Sequence, residues 1–172
     1  MSWLKREKRS LAPQARNGAK RILFPFDAHG LAPSALDAAL RLARSQAATL
    51  VPVFLARVPL RLCLDAALPN QSKLAVPMQD AVEQRAAMFD VPVDSRIERG
   101  RSYRHALRQT IASERFDMIV LAAAAGDAPG FNASDVAWLL ANAPGEIVVL
   151  RPALASVEPS DARLVAPVKS AG

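Results

Sequence analysis

The chain has 172 residues, 51% hydrophobic and 22% charged, with a formal net charge of +6, which fits one core-forming domain with tails and excludes a wholly disordered chain. Its longest apolar run, Met118–Ala125, is eight residues, well short of the roughly 18 that a membrane span needs. The single cysteine, Cys63, allows no internal disulfide, and a reducing cytoplasm is the expected setting.

The charge sits at one end. Residues 1–21 hold Lys5, Arg6, Lys8, Arg9, Arg16, Lys20 and Arg21 against Glu7, and the rest of the chain balances to zero. The high isoelectric point therefore belongs to an arm, residues 1–20, and implies no specific nucleic-acid surface. No apolar stretch follows the basic residues, so a secretory signal is not expected. Trp3 and Leu4 beside four cations suit either a solubilising arm or contact with a protein partner or an anionic membrane surface.

The first element is Arg21–Phe26, a continuous apolar run that suits a strand buried on both faces. Pro25 lacks a ladder donor, so it belongs where pairing ends. Pro33 opens a helix whose apolar stripe is Ala35, Leu36, Ala39, Leu40 and Ala43. Thr49–Leu55 is a second strand, parallel to the first through a right-handed crossover. Residues 57–75 show no clean period and read as a loop with a helical turn. Val76–Phe89 reads as a helix. Val91–Glu98 places Val91, Val93, Ser95 and Ile97 on one face of a half-buried or edge strand that Gly100 ends. Ser102–Glu114 is helical, Met118–Ala123 is a buried strand, and Ser134–Ala141 is a short helix with Ser134 as its N-cap. Glu146–Leu150 is the last strand, stopped by Pro152. Residues 153–172 read as a disordered tail. The alternation over residues 21–152 predicts a doubly wound parallel α/β sheet, with any ligand beyond the carboxyl ends of the strands where their order reverses.

At this level the chain resembles the universal stress proteins. Ile22-Leu23-Phe24-Pro25-Phe26-Asp27 is similar to their first strand, and the Ala-Leu pairs of the first helix fall in register. Gly100, Asp117-Met118-Ile119-Val120, and Ser134 through Ala143-Pro144 to Ile147-Val148-Val149-Leu150-Arg151-Pro152 continue the match. The resemblance implies five parallel strands in the order 3-2-1-4-5, helices on both faces, and a homodimer through the last strand, Glu146–Leu150. It also implies an ATP cleft, in which Asp27 approaches the adenine and ribose while a Gly-x-x-Gly, nine-residue, Gly-Ser stretch holds the phosphates. Glycines serve there because the backbone must come close enough to donate to phosphate oxygens. Here the first glycine pair reads Ala122 and Ala125, the spacer is seven residues, and Ala133 precedes Ser134. Gly126 and Gly130 are available to rebuild the loop, and Asp127 would repel a triphosphate. The candidate site is thus Asp27, Ala122, Gly126, Gly130 and Ser134, a degenerate cleft taking ATP, ADP or AMP weakly.

Other features have plainer readings beside their functional ones. Asp27 could cap the first helix, and Ser134 could serve only as an N-cap. His29 could touch a ligand, but two histidines and one cysteine supply no metal site. Arg101, Arg104 and Arg108 share a helix side that is either a solvated face or an anion site. Cys63 is either incidental or a redox sensor. Nothing matches a nucleophile elbow, a Walker loop or a kinase signature, so the expected function is non-enzymatic: a cytoplasmic stress-response or regulatory homodimer. The alternative is a nucleotide sensor attached to a membrane transporter.

Overall fold

The computed structural model describes residues 19–151; the expected arm lies almost wholly outside these residues and the tail wholly so. Nine elements follow in order: β1 (Arg21–Phe26), α1 (Pro33–Ser45), β2 (Thr49–Arg57), α2 (Pro69–Met88), β3 (Arg96–Gly100), α3 (Tyr103–Ser113), β4 (Met118–Ala122), α4 (Ala133–Asn142) and β5 (Glu146–Leu150). All strand pairs are parallel, in the order β3-β2-β1-β4-β5, as expected.

The sheet separates two apolar layers. On one face Ala35, Leu36, Ala39, Leu40 and Ala43 of α1 and Ala75, Val82 and Ala86 of α2 cover Phe24, Phe54 and Val120. On the other, Ala106 and Leu107 of α3 and Leu139 of α4 cover Leu23, Val53, Ile119 and Leu121. Arg85 of α2 donates to both carboxylate oxygens of Asp37 on α1, at 2.7 and 2.8 Å, a forked pair that fixes one helix against the other.

Two prolines shape the ladders. The Arg21 N–H reaches the Asp117 carboxylate, and the Asp117 N–H donates to the Arg21 carbonyl, so odd-numbered β1 residues direct their backbone groups toward β4. Pro25 shares that direction and has no N–H to give. The β1–β4 ladder stops at Leu23–Ile119, whereas β1 pairs with β2 as far as Phe26. Pro52 does the same on the other side. Leu50 exchanges hydrogen bonds with Pro92 and Asp94, so Pro52, two residues on, faces β3 without a donor. A lone Leu50–Val93 bridge therefore precedes the gap, and β3 proper starts at Arg96. This replaces the expected strand Val91–Glu98.

Helix α2 differs too. It starts at Pro69, inside the stretch expected to be a loop. Pro69 occupies the first turn, where its missing N–H costs nothing. Pro77 inside the helix and a buried stripe of only Ala75, Val82 and Ala86 left little periodic signal.

Candidate functional site

The cleft begins where Pro25 parts β1 from β4, at the carboxyl ends of the central strands and the point of order reversal. It encloses about 360 Å³ between the β1–α1 turn, Tyr103 and residues 124–132. A larger depression of about 590 Å³ lies at the opposite end, around Ile111, Phe116 and Gly145. Sheets of this class bind ligands beyond the carboxyl ends of their strands, so the smaller cleft is the candidate.

Asp27 forms the floor. It is 5% exposed, and its Oδ1 accepts the His29 N–H at 2.8 Å and lies 2.9 Å from His29 Nδ1. The Gly30 N–H closes the turn on the Asp27 carbonyl at 3.1 Å. Asp27 therefore does not cap α1, whose N-cap is Ala32 with no side-chain bond. His29 is oriented by this pair, and the lining residues supply no Ser, Thr or Cys for it to activate.

The opposite wall is tied to its own strand. The Phe131 N–H donates to the Ala122 carbonyl and the Ala124 N–H to the Phe131 carbonyl, both at 2.8 Å. A Cβ at Gly130 would stand 2.6 Å from Ala123 C and Ala124 N, so glycine is required there for contact with β4. Gly126 takes φ +58° beside open space. At the far end Asn132, not Ser134, is the N-cap of α4, accepting the Asp135 N–H at 2.9 Å. Ser134 instead bonds Arg104, whose Nε also reaches Asp135.

Of the expected residues, the fold brings Asp27, Gly126 and Gly130 to the cleft; Ala122 and Ser134 do not line it. Tyr103, Asn132 and Asp135 also line it and were not among the expected residues. Burial pushes the Tyr103 hydroxyl above its usual pKa, the Asp27 charge adds to that, and Arg57 opposes it. Asp27, Asp127 and Asp135 give the cleft an acidic lining. It offers acceptors suited to amino and hydroxyl groups and repels phosphate.

Arg104 and Arg108 both turn toward α4, and Arg101 does not share their face. Arg101 donates to the Pro59 and Leu62 carbonyls, Arg104 bonds Asp135, and Arg108 lies 5.4 Å over the Trp138 ring. Among the described residues no group of three or more His, Cys, Asp or Glu could hold a metal ion, and no helix is long and apolar enough to cross a membrane.

Comparison with known proteins agrees with this architecture. A profile of the Universal stress protein family matches residues 18–151. The fold is similar to universal stress protein UspA from Lactobacillus plantarum, with 21% identity over 77% of this chain and 97% of that one, at a TM-score of 0.57. It is similar to a universal stress protein in complex with cAMP, at 13% identity over 76% and 96% and a TM-score of 0.59. A universal stress protein family protein from Arabidopsis thaliana with AMP bound matches at 11% identity over 83% and 97%, with a TM-score of 0.55. A search of curated proteins returns no significant match.

Proposed function

Because the chain belongs to the universal stress protein family, we propose that this stress-response protein is non-enzymatic, acts as a homodimer, and holds an adenine nucleotide weakly in the cleft above β1 and β4. The observation that carries the reading is the state of the phosphate end. Arg104 and Ser134 are bonded to each other and Arg104 to Asp135, while the Gly130 segment is strapped to β4. Groups that would otherwise hold phosphates are engaged within the protein. Asp27 remains as a partner for a nucleoside's amino and hydroxyl groups, whereas Asn132 is engaged with Asp135 as the cap of α4.

Two similar folds carry cAMP and AMP; a single phosphate asks less of this end than three. Support for the dimer comes from β5, which ends the sheet with Ile147, Val148, Val149 and Leu150 each only half-buried. An apolar edge of that kind favours pairing with a second copy.

Calorimetric titration with AMP and with Mg-ATP tests the ligand. The expected AMP dissociation constant is about 100 µM or weaker, near 5 kcal/mol of binding, with ATP no tighter. Submicromolar ATP binding, or sustained ATP turnover, overturns the reading.

A further inference from the structure

Between β2 and α2 the chain runs Val58-Pro-Leu-Arg-Leu-Cys-Leu-Asp65. Leu60 is 87% exposed, Leu62 36% and Leu64 39%. Three leucines in five residues standing in water is an unfavourable arrangement unless something covers them.

The loop does not leave them out through slackness. The Val58 N–H donates to the Gly100 carbonyl and the Leu62 N–H to the Pro59 carbonyl, at 2.8 and 3.0 Å. Arg101 donates to the Pro59 and Leu62 carbonyls, both at 2.7 Å, and Arg99 to the Ala66 carbonyl at 2.8 Å. Two arginines thus hold the backbone in a shape that keeps the leucines outward.

The charge around the loop is one-sided. Among the described residues none of Arg57, Arg61, Arg99 and Arg101 has a salt-bridge partner. Carbonyl oxygens satisfy the Arg99 and Arg101 donors but leave their charges uncompensated. Asp65 and Glu98 are the nearby carboxylates in sequence, two against four.

We propose that residues 58–66 dock on an anionic lipid bilayer, Leu60, Leu62 and Leu64 entering the headgroup–acyl boundary while Arg57 and Arg61 meet lipid phosphates. Exposed leucines flanked by unpaired cations match both halves of such a surface, the apolar interior and the negative potential above it. A protein partner is the weaker fit, because protein hot spots favour Trp, Tyr and Arg and disfavour Leu, and the large exposed apolar side chains of this segment are all leucines, with no Trp or Tyr. The reading is independent of nucleotide in the cleft.

Cys63, the chain's only cysteine, is exposed between Leu62 and Leu64 and accepts a polarity-sensitive fluorophore on the full chain. With vesicles of phosphatidylcholine containing about 30% phosphatidylglycerol, the probe's emission should shift blue and brighten severalfold. Phosphatidylcholine alone should leave it unchanged. In cosedimentation of unlabelled protein, the combined Leu60→Ser, Leu62→Ser and Leu64→Ser variant should partition about tenfold less. Its melting temperature should fall only by a few degrees, since Leu60 faces solvent and Leu62 and Leu64 are only partly covered, and Leu60→Ser alone should weaken partition with no change in melting temperature. Arg61→Glu should weaken partition by a similar factor. Cosedimentation with a silent probe would mean that the basic arm carries the contact, which overturns the proposal, as would a failure to cosediment.

Discussion

Arg104 on α3 is bonded to both Asp135 and Ser134 in the first turn of α4. The guanidinium behind Asp135, which lines the cleft, is therefore engaged before any ligand arrives, and the start of α4 is pinned to α3. Asp135→Asn should release the guanidinium and remove one negative charge from the lining. AMP affinity should rise by about three- to tenfold, roughly 1 kcal/mol, measured by calorimetry. Unchanged or weaker binding would show that Arg104 does not face the ligand.

Gly130 is set by contact with the strand beside it. Gly130→Ala would place a methyl against the backbone of Ala122, Ala123 and Ala124, which cannot move aside as a flexible side chain would. A loss of about 3 kcal/mol is expected in urea unfolding. Gly126→Ala meets nothing within 4 Å and should lose less, through its positive φ alone, by about 1 kcal/mol.

Tyr103 is the chain's only tyrosine, so its ionisation can be followed by ultraviolet absorbance without overlap from another phenol. Its midpoint should lie above the usual value near 10, because burial and the Asp27 charge both disfavour the phenolate. Asp27→Asn should bring the midpoint down. A midpoint indifferent to that change would mean that Asp27 does not act across the cleft.

Asp94 lies between Arg21 and Arg96, at 2.7 and 2.6 Å, and Glu114 completes the group. Burial alone would raise the Asp94 pKa, but the hydrogen bonds from Arg96 and Arg21 outweigh it and hold the carboxyl below its usual value. The unfolded value is near 4. Its contribution to stability is thus complete above about pH 4 and disappears as the pH falls through the lower folded value. Asp94→Asn should cost about 1 kcal/mol at pH 7, after allowance for solvent screening. It should also flatten the acid limb of the stability curve, read by unfolding from pH 7 down to pH 2.

The half-buried β5 edge makes association measurable. Sedimentation should give a dimer for the parent chain, and Val148→Lys should give monomers or aggregates. A monomeric parent at high concentration, or an undisturbed variant dimer, would remove β5 from the interface.

The layers were legible because β1, β2 and β4 are continuous apolar runs and α1 carries a regular stripe, and the strand order was legible only through the resemblance of these segments to the universal stress proteins. The parts that were not legible share a cause: they depend on where a backbone group points. Pro52 delays β3 only because its nitrogen faces that strand. Asn132 rather than Ser134 caps α4 because residues 122–131 fold back on β4 and shift the helix start. Gly126 and Gly130 look alike in the sequence, yet one borders open space and the other presses on a strand. Arg101, Arg104 and Arg108 followed a helical spacing, but Arg101 precedes α3 and bonds the β2–α2 loop while the other two meet α4, which spacing within one helix cannot reveal.

Pro25 has a kinetic consequence as well. The sheet is two halves, β3-β2-β1 and β4-β5, stitched by only two residue pairs, Ile22–Met118 and Leu23–Ile119. That seam joins positions nearly a hundred residues apart, so it is the costliest loop to close during folding and the first place for the sheet to gape afterwards. Asp27 belongs to one half and the 124–132 wall to the other. A molecule held between them would clasp the two halves across this short ladder, and its arrival should be felt first as slowed amide exchange at Leu23 and Ile119, ahead of any change at the outer strands.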